Sequence, residues 1–316
     1  MEAYAALNQK KPRLKRKKII RQLKKDYQLW LLALPVIIYF IVFHYLPMYG
    51  IQIAFKDFIA MKGITGSPWV GFQHFERFIT SYQFKRLILN TLGISFYQLA
   101  VGFPAPIILA LMLNQTKNLK FKKFVQTVTY APHFISVVVM AGMIILFLSP
   151  TSGVINHLIG GLGFDKVNFM ANPGYFKTIY VFSGIWQNAG WGAIIYLAAL
   201  SAISPSLYEA ARIDGANKWH LIRYIDIPSI MPTAVILLIM NVGRIMNVGF
   251  QKTFLLQNDL NLASSEIIST YIYKVGLLDA QYSYSAAIGL FNTIINILLL
   301  VSVNRISKKV TETSLW

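Results

Sequence analysis

Cysteine is missing from all 316 residues, which removes disulfides, thiolate metal sites and cysteine nucleophiles together. Charge is scarce too: Asp, Glu, Lys and Arg make up 13% of the chain, against roughly 25% in soluble domains. Acids are the scarcer sign, 12 against 30 Lys and Arg, which leaves a formal net charge of +18. A balance of that size raises nucleic acid as a partner, so its placement along the chain matters more than its size. The histidines His44, His74, His133, His157 and His220 are dispersed, no pair has metal-ligand spacing, and they read as structural. No glycine-rich loop is followed by Lys-Ser/Thr; Gly160-Gly161-Leu162-Gly163 reads as a turn. Work driven by nucleotide would need another polypeptide.

What is abundant is apolar sequence: 55% hydrophobic residues and a mean hydropathy of +0.51. The fold class that follows is an all-α membrane protein with six transmembrane helices, over about 30–49, 87–113, 124–148, 178–203, 231–250 and 284–303. The first run is too long for a signal-peptide core and lacks a small-residue cleavage site, so it reads as an anchor. Residues 1–29 form a basic flank holding ten Lys and Arg, 30–304 the six-span domain, and 305–316 a tail. With the N-terminus inside, twenty basic residues fall on inner segments, nine on outer ones, and Arg244 lies within a span. The asymmetry predicts a multi-pass protein with both termini cytoplasmic. The flank's neighbour is then anionic membrane lipid rather than nucleic acid. In the first outer loop Phe72, Phe75, Phe78 and Ile79 recur at helical spacing and predict an interfacial helix.

Between the fourth and fifth spans lies a polar loop, 204–230. Ser206 to Glu209 reads as a capping box that opens a short helix, and Gly215 as its end. A second stretch from Asn217 should run until Ile227-Pro228 hands the chain to the next span. Ala210 and Ala211 leave one face nearly flat, while Glu209 and Asp214 offer acids to a basic partner. An amphipathic loop lying on lipid headgroups is the other reading of the same residues.

The spacing Glu209-Ala210-Ala211, Gly215, Ile225 and Pro228 resembles the signature of permease subunits of binding-protein-dependent ABC importers, with Ile227 where Leu is usual. Around the first span, ALPVIIYFIVFHYLPMYGIQIAFKDF resembles the oligosaccharide and polysaccharide branch of that family. The resemblance implies a MetI-like ABC importer permease fold in which the loop is a cytoplasmic coupling helix. It further implies a second permease subunit, two cytoplasmic ABC ATPase subunits that hold the ATP and Mg, and an extracytoplasmic solute-binding protein that delivers a sugar. No cofactor is expected on this chain and no covalent chemistry, in a bacterial cell membrane.

Polar side chains within spans face cavities or partner helices. Trp186, Gln187, Asn188 and Trp191 precede the loop; Asn241, Arg244 and Asn247 follow it at intervals of three, which places them on one helical face; Asn292 and Asn296 stand at i and i+4. Amides beside aromatic rings suit a sugar path. By resemblance, residues at these distances from the coupling loop line the cavity of maltose-type permeases. Packing between helices accounts for the same amides. Arg244 suits an acidic sugar or an acid on the partner permease. The competing classes are an importer of another solute (peptide, amino acid or ion), a membrane-embedded enzyme and an ion-driven carrier; the last two would need convergent acids or a nucleophile and base at one depth.

Overall fold

A computed structural model describes residues 25–311 and 313–315. Most of the expected basic flank, residues 1–24, lies outside the described residues. No strand occurs among them, and one isolated antiparallel bridge pairs Lys56 with Trp69.

The first of two compact units holds the residues up to Ile53 together with Phe58–Ser67. Its helix α1, Tyr27–Phe55, has no buried residue in its apolar window. A helix apolar on every side is built for lipid or for another chain. Ser67 ties the second segment together, donating to the Gly63 carbonyl at 2.6 Å and accepting from the Ile59 amide at 3.0 Å.

The second unit contains everything from Pro68 onward. Its helices are α2 (Gln73–Ile79), α3 (Tyr82–Asn114), α4 (Leu119–Tyr130), α5 (Val137–Phe147), α6 (Val154–Gly161), α7 (Pro173–Ser201), α8 (Pro205–Ile213), α9 (Lys218–Val242), α10 (Phe250–Leu256), α11 (Ile268–Tyr273) and α12 (Tyr282–Thr311). Helix α7 is the axis: it packs on α3, α4 and α9, while α12 packs on α2, α9 and α11. Of the described helices, four are long and apolar enough to cross a membrane, and six if each of two bent pairs counts as one span.

Several expectations change in detail. The third span is broken: the chain turns by 101° between the segments Leu119–Phe134 and Val137–Phe147. Pro132 sits at the end of the first piece, and Ser136 caps the second by accepting from the Val139 amide. The fifth span starts at Lys218 and stops at Val242 instead of running from Met231 to Phe250. The last helix continues to Thr311, because neither Gly nor Pro interrupts it after Gly289. The expected tail folds back on it, the Leu315 amide donating to Asn304 Oδ1 at 2.8 Å. Helix α2 forms where expected, and within it Phe78 alone is buried, 1% exposed between Phe84 and Phe291. The glycine run around Gly160 is the end of α6, and Gly163 makes the turn.

Of four wide i→i+5 turns among the described residues, three, Ile41–Tyr45, Gln98–Gly102 and Ile222–Asp226, each end two residues before a proline: Pro47, Pro104 and Pro228. Proline withholds one amide and crowds the carbonyl four residues back, which in each case lies inside the wide turn. The turn absorbs both, and the helix continues through the proline.

Candidate functional site

The polar loop begins at Ser204. Helix α8 starts at Pro205, whose fixed φ suits a first helical position, so Ser206 falls inside the first turn. The expected capping box does not form, and the Ser206 hydroxyl lies 2.7 Å from that of Ser204. At the other end Gly215 has φ +80°, the left-handed region that suits glycine. Its amide donates to the Arg212 carbonyl at 3.1 Å, and the Ala216 amide to that of Ala211 at 2.9 Å. This is the paired closure of a glycine-ended helix. Asn217 then caps α9, accepting from the His220 amide at 2.9 Å. Pro228 does not end this helix, so the loop's second half is the beginning of a 25-residue rod, Lys218–Val242.

Glu209, Ala210, Asp214, Gly215 and Pro228 are exposed, Ala211 is half-buried and Ile225 is buried. Ile213 is 87% and Trp219 66% exposed. One surface therefore offers two acids, small residues and two large apolar side chains. Asp226 beneath it is fully buried.

A cavity of about 530 Å³ opens between α3, α7 and the end of α9. Its polar lining is Ser95 and Gln98 from α3, Tyr180, Asn188 and Tyr196 from α7, and Asn241, Arg244 and Asn247. The last three do not share a helical face: α9 stops at Val242, residues 243–246 turn, and Asn247 follows in open chain. The turn brings them to one wall by a different route.

Asn292 and Asn296 stand behind that wall. Both donate to Asn247 Oδ1, at 2.8 and 3.3 Å, and Asn296 Oδ1 accepts from the Met246 amide at 3.1 Å. Two amides on successive turns of α12 thus fix the Asn247 side chain. Gln187 does not reach the cavity; it is buried and donates to the Ile135 carbonyl at 2.9 Å, holding the α4–α5 bend. Trp191 also turns away and stacks on His133, centroids 4.5 Å apart and planes 6° apart. His133 in turn places Nδ1 3.1 Å from Asn188 Oδ1, so this pair positions a lining amide. Trp186 is half exposed and does not line the cavity.

Lys252 escaped the sequence reading, which put it in an outer loop. It lies on α10, 8% exposed, with Nζ donating to the Tyr180 carbonyl at 2.8 Å and 4.6 Å from the Tyr180 ring centroid. No carboxylate pairs with it among the described residues. The apolar stretches FLL and EIISTYIY that follow it were the available signal that this segment is packed.

The polar loop and most of the cavity lining sit within one family profile: the model of binding-protein-dependent transport system inner membrane components matches residues 102–312. The chain belongs to that family. It is a transport-system membrane component, not an enzyme. The polygalacturonan/rhamnogalacturonan transport system permease protein YteP of Bacillus subtilis (strain 168) is 43% identical over 302 residues, 96% of this chain and 94% of the relative. Two crystal structures of a bacterial alginate ABC transporter superpose with TM-score 0.87 at 42% identity, covering 93% of this chain and 99% of theirs. One is described as involved in the import of the acidic polysaccharide alginate, the other as in complex with alginate pentasaccharide-bound periplasmic protein.

Proposed function

We propose that this permease is one of two membrane subunits of an ATP-driven importer and passes an acidic oligosaccharide, handed over by an extracytoplasmic binding protein, into the bacterial cytoplasm. The observation that carries the substrate class is the charge of the cavity: Arg244 stands on its wall, no carboxylate lines it, and Arg244 has no ion-pair partner among the described residues. A guanidinium meets a sugar carboxylate bidentately, and the amides of Gln98, Asn188, Asn241 and Asn247 suit the hydroxyls. The names of the relatives point the same way.

The energy comes from ATP and Mg on two separate ATPase subunits. The loop faces the cytoplasm, as the distribution of Lys and Arg requires. Glu209 and Asp214 pair with basic residues of the ATPase, Ala210 and Ala211 let its backbone approach, and Ile213 and Trp219 supply the apolar area. Ile225 packs the start of α9 beneath them, and the helix carries the push through Pro228.

Uptake by the complex reconstituted with its binding protein tests the substrate. Arg244→Ala is expected to lower oligogalacturonate uptake about tenfold, or about 1.4 kcal/mol, and to leave the fully methyl-esterified oligomer within about twofold. Equal loss of both would reject the acidic substrate. A second variant tests the loop. Gly215→Val forces a β-branched residue into the left-handed region, a strain of about 1–2 kcal/mol. No atom lies within 4 Å of its Cβ position, so the fold should survive. The assembled complex is expected to hydrolyse ATP while uptake falls several-fold; unchanged uptake would remove the elbow from the mechanism.

A further inference from the structure

Asp226 is fully buried, and what surrounds it is unusual for a carboxylate: three neutral donors and, among the described residues, no ion-pair partner. Oδ1 accepts from the Tyr208 hydroxyl at 2.5 Å and from Asn114 Nδ2 at 3.2 Å, and Oδ2 accepts from Gln115 Nε2 at 2.7 Å. Asn114 Nδ2 also donates to the Tyr208 oxygen at 3.3 Å, which closes the network. These groups come from three elements. Tyr208 is on α8, Asn114 and Gln115 end α3, and Asp226 belongs to the wide turn that opens α9.

The site runs against the local electrostatics. The end of α3 carries the negative end of the helix dipole, where a cation would be favoured over an acid. A buried acid paired with hydrogen-bond donors alone is weak ground for stability and stronger ground for a fixed geometry. Tyr208 is a lasting donor, because burial and its bond to Asp226 push the phenol up to about 12.

The joint matters because α8 is otherwise loosely held. None of its residues is buried. Among the described residues its side-chain hydrogen bonds to other elements run through Tyr208 alone, to Asp226 and Asn114. Its covalent link to α9 passes through the left-handed Gly215. A push on α8 with no other tie would be spent in the elbow.

We infer that Asp226 is the positioning residue of the transmission: it locks α8 to the start of α9 and to the end of α3, so that movement of the polar loop becomes movement of two cavity-lining helices. This rests on the reading of the chain as an ATP-driven permease. It adds a residue outside the Glu-Ala-Ala…Gly pattern, on the inner side of the loop.

The test is coupling in the complex reconstituted with partner permease, ATPase and binding protein, read as sugar taken up per ATP hydrolysed. Tyr208→Phe deletes one hydroxyl without changing the packing, and Gln115→Glu sets a second carboxylate against the first. Each is expected to lower the ratio about fivefold while subunit stoichiometry and basal hydrolysis stay near wild type. The double variant Gln115→Glu/Asp226→Asn restores a donor facing an acceptor, with the carboxylate moved to position 115, and should return the ratio to within about twofold of wild type. A merely structural role would show instead as lost assembly or lost basal hydrolysis, not as a lower ratio in an intact complex. Wild-type coupling in Tyr208→Phe, or a double variant no better than Gln115→Glu, overturns the inference. A wild-type complex with no ATP-dependent uptake would instead overturn the importer reading itself.

Discussion

Gly190→Ala is expected to prevent accumulation of the assembled complex, although it adds a single methyl group in the middle of a good helix. A Cβ at Gly190 would stand 2.1 Å from the Thr129 carbonyl oxygen and 2.4 Å from its carbon. Both are backbone atoms of α4, so no rotamer relieves the clash and the two helices must part. Overpacking typically costs about 1–3 kcal/mol, and a backbone obstacle puts this case at or above the upper end. The damage lands at the site, because the same face of α7 bonds Gln187 to the bend and stacks Trp191 on His133, which steadies Asn188. Gly142→Ala is the matched control. It lies exposed on α5 with nothing within 4 Å of its Cβ position and should gain ~0.5–1 kcal/mol from helix propensity. Complex yield after solubilisation and the melting temperature in detergent would separate the two; normal yield of Gly190→Ala would show that α4 and α7 are not held this closely.

The sequence made long apolar runs easy to see and breaks within them hard to see. A run of some twenty apolar residues carries its own length signal, so α3, α9 and α12 were found, each with misplaced ends. The bend at Ile135–Ser136 sits inside such a run, and nothing in hydropathy marks a change of direction. Proline misled in the opposite sense. Pro228 reads as a helix boundary by the ordinary rule, yet a wide turn upstream lets the rod pass through it, a tertiary solution that no local propensity announces. Position by position, Asn188, Asn241, Arg244 and Asn247 were legible as polar groups in apolar surroundings, and they line one cavity. The three-residue interval was a correct clue with an incorrect cause, since a turn, not a helical face, assembles that wall. Gln187 carried the same signal as Asn188 and points elsewhere, because adjacent residues on a helix diverge by about 100°. Asp226 carried no signal of its own in the sequence; its burial depends on the end of α3, more than a hundred residues earlier in the chain.

Lys252→Met should make the protein no less stable and a worse importer of acidic sugar. The ammonium is buried against the Tyr180 carbonyl and ring with no carboxylate opposite it among the described residues. Holding a charge there costs folding energy, and an apolar side chain of similar length removes that cost while filling the same space. Stability of the complex should therefore be unchanged or higher by ~1 kcal/mol, seen as a melting temperature that does not fall. Transport is expected to move the other way. Nζ lies 3.4 Å from the Cβ position of Gly184, and Gln98 Nε2 lies 4.0 Å from the same point. Gly184 and Gln98 both line the cavity. The charge thus stands one glycine away from the cavity in a buried wall, where its field is weakly screened. Oligogalacturonate uptake should drop about tenfold and that of the methyl-esterified oligomer about twofold or less, alone and on top of Arg244→Ala. A natural chain that keeps an unpaired buried lysine at a cost in stability is retaining its field, and the two opposite shifts measure that trade directly. If uptake of both sugars fell together with the melting temperature, Lys252 would be a packing residue and the cavity's selectivity would rest on Arg244.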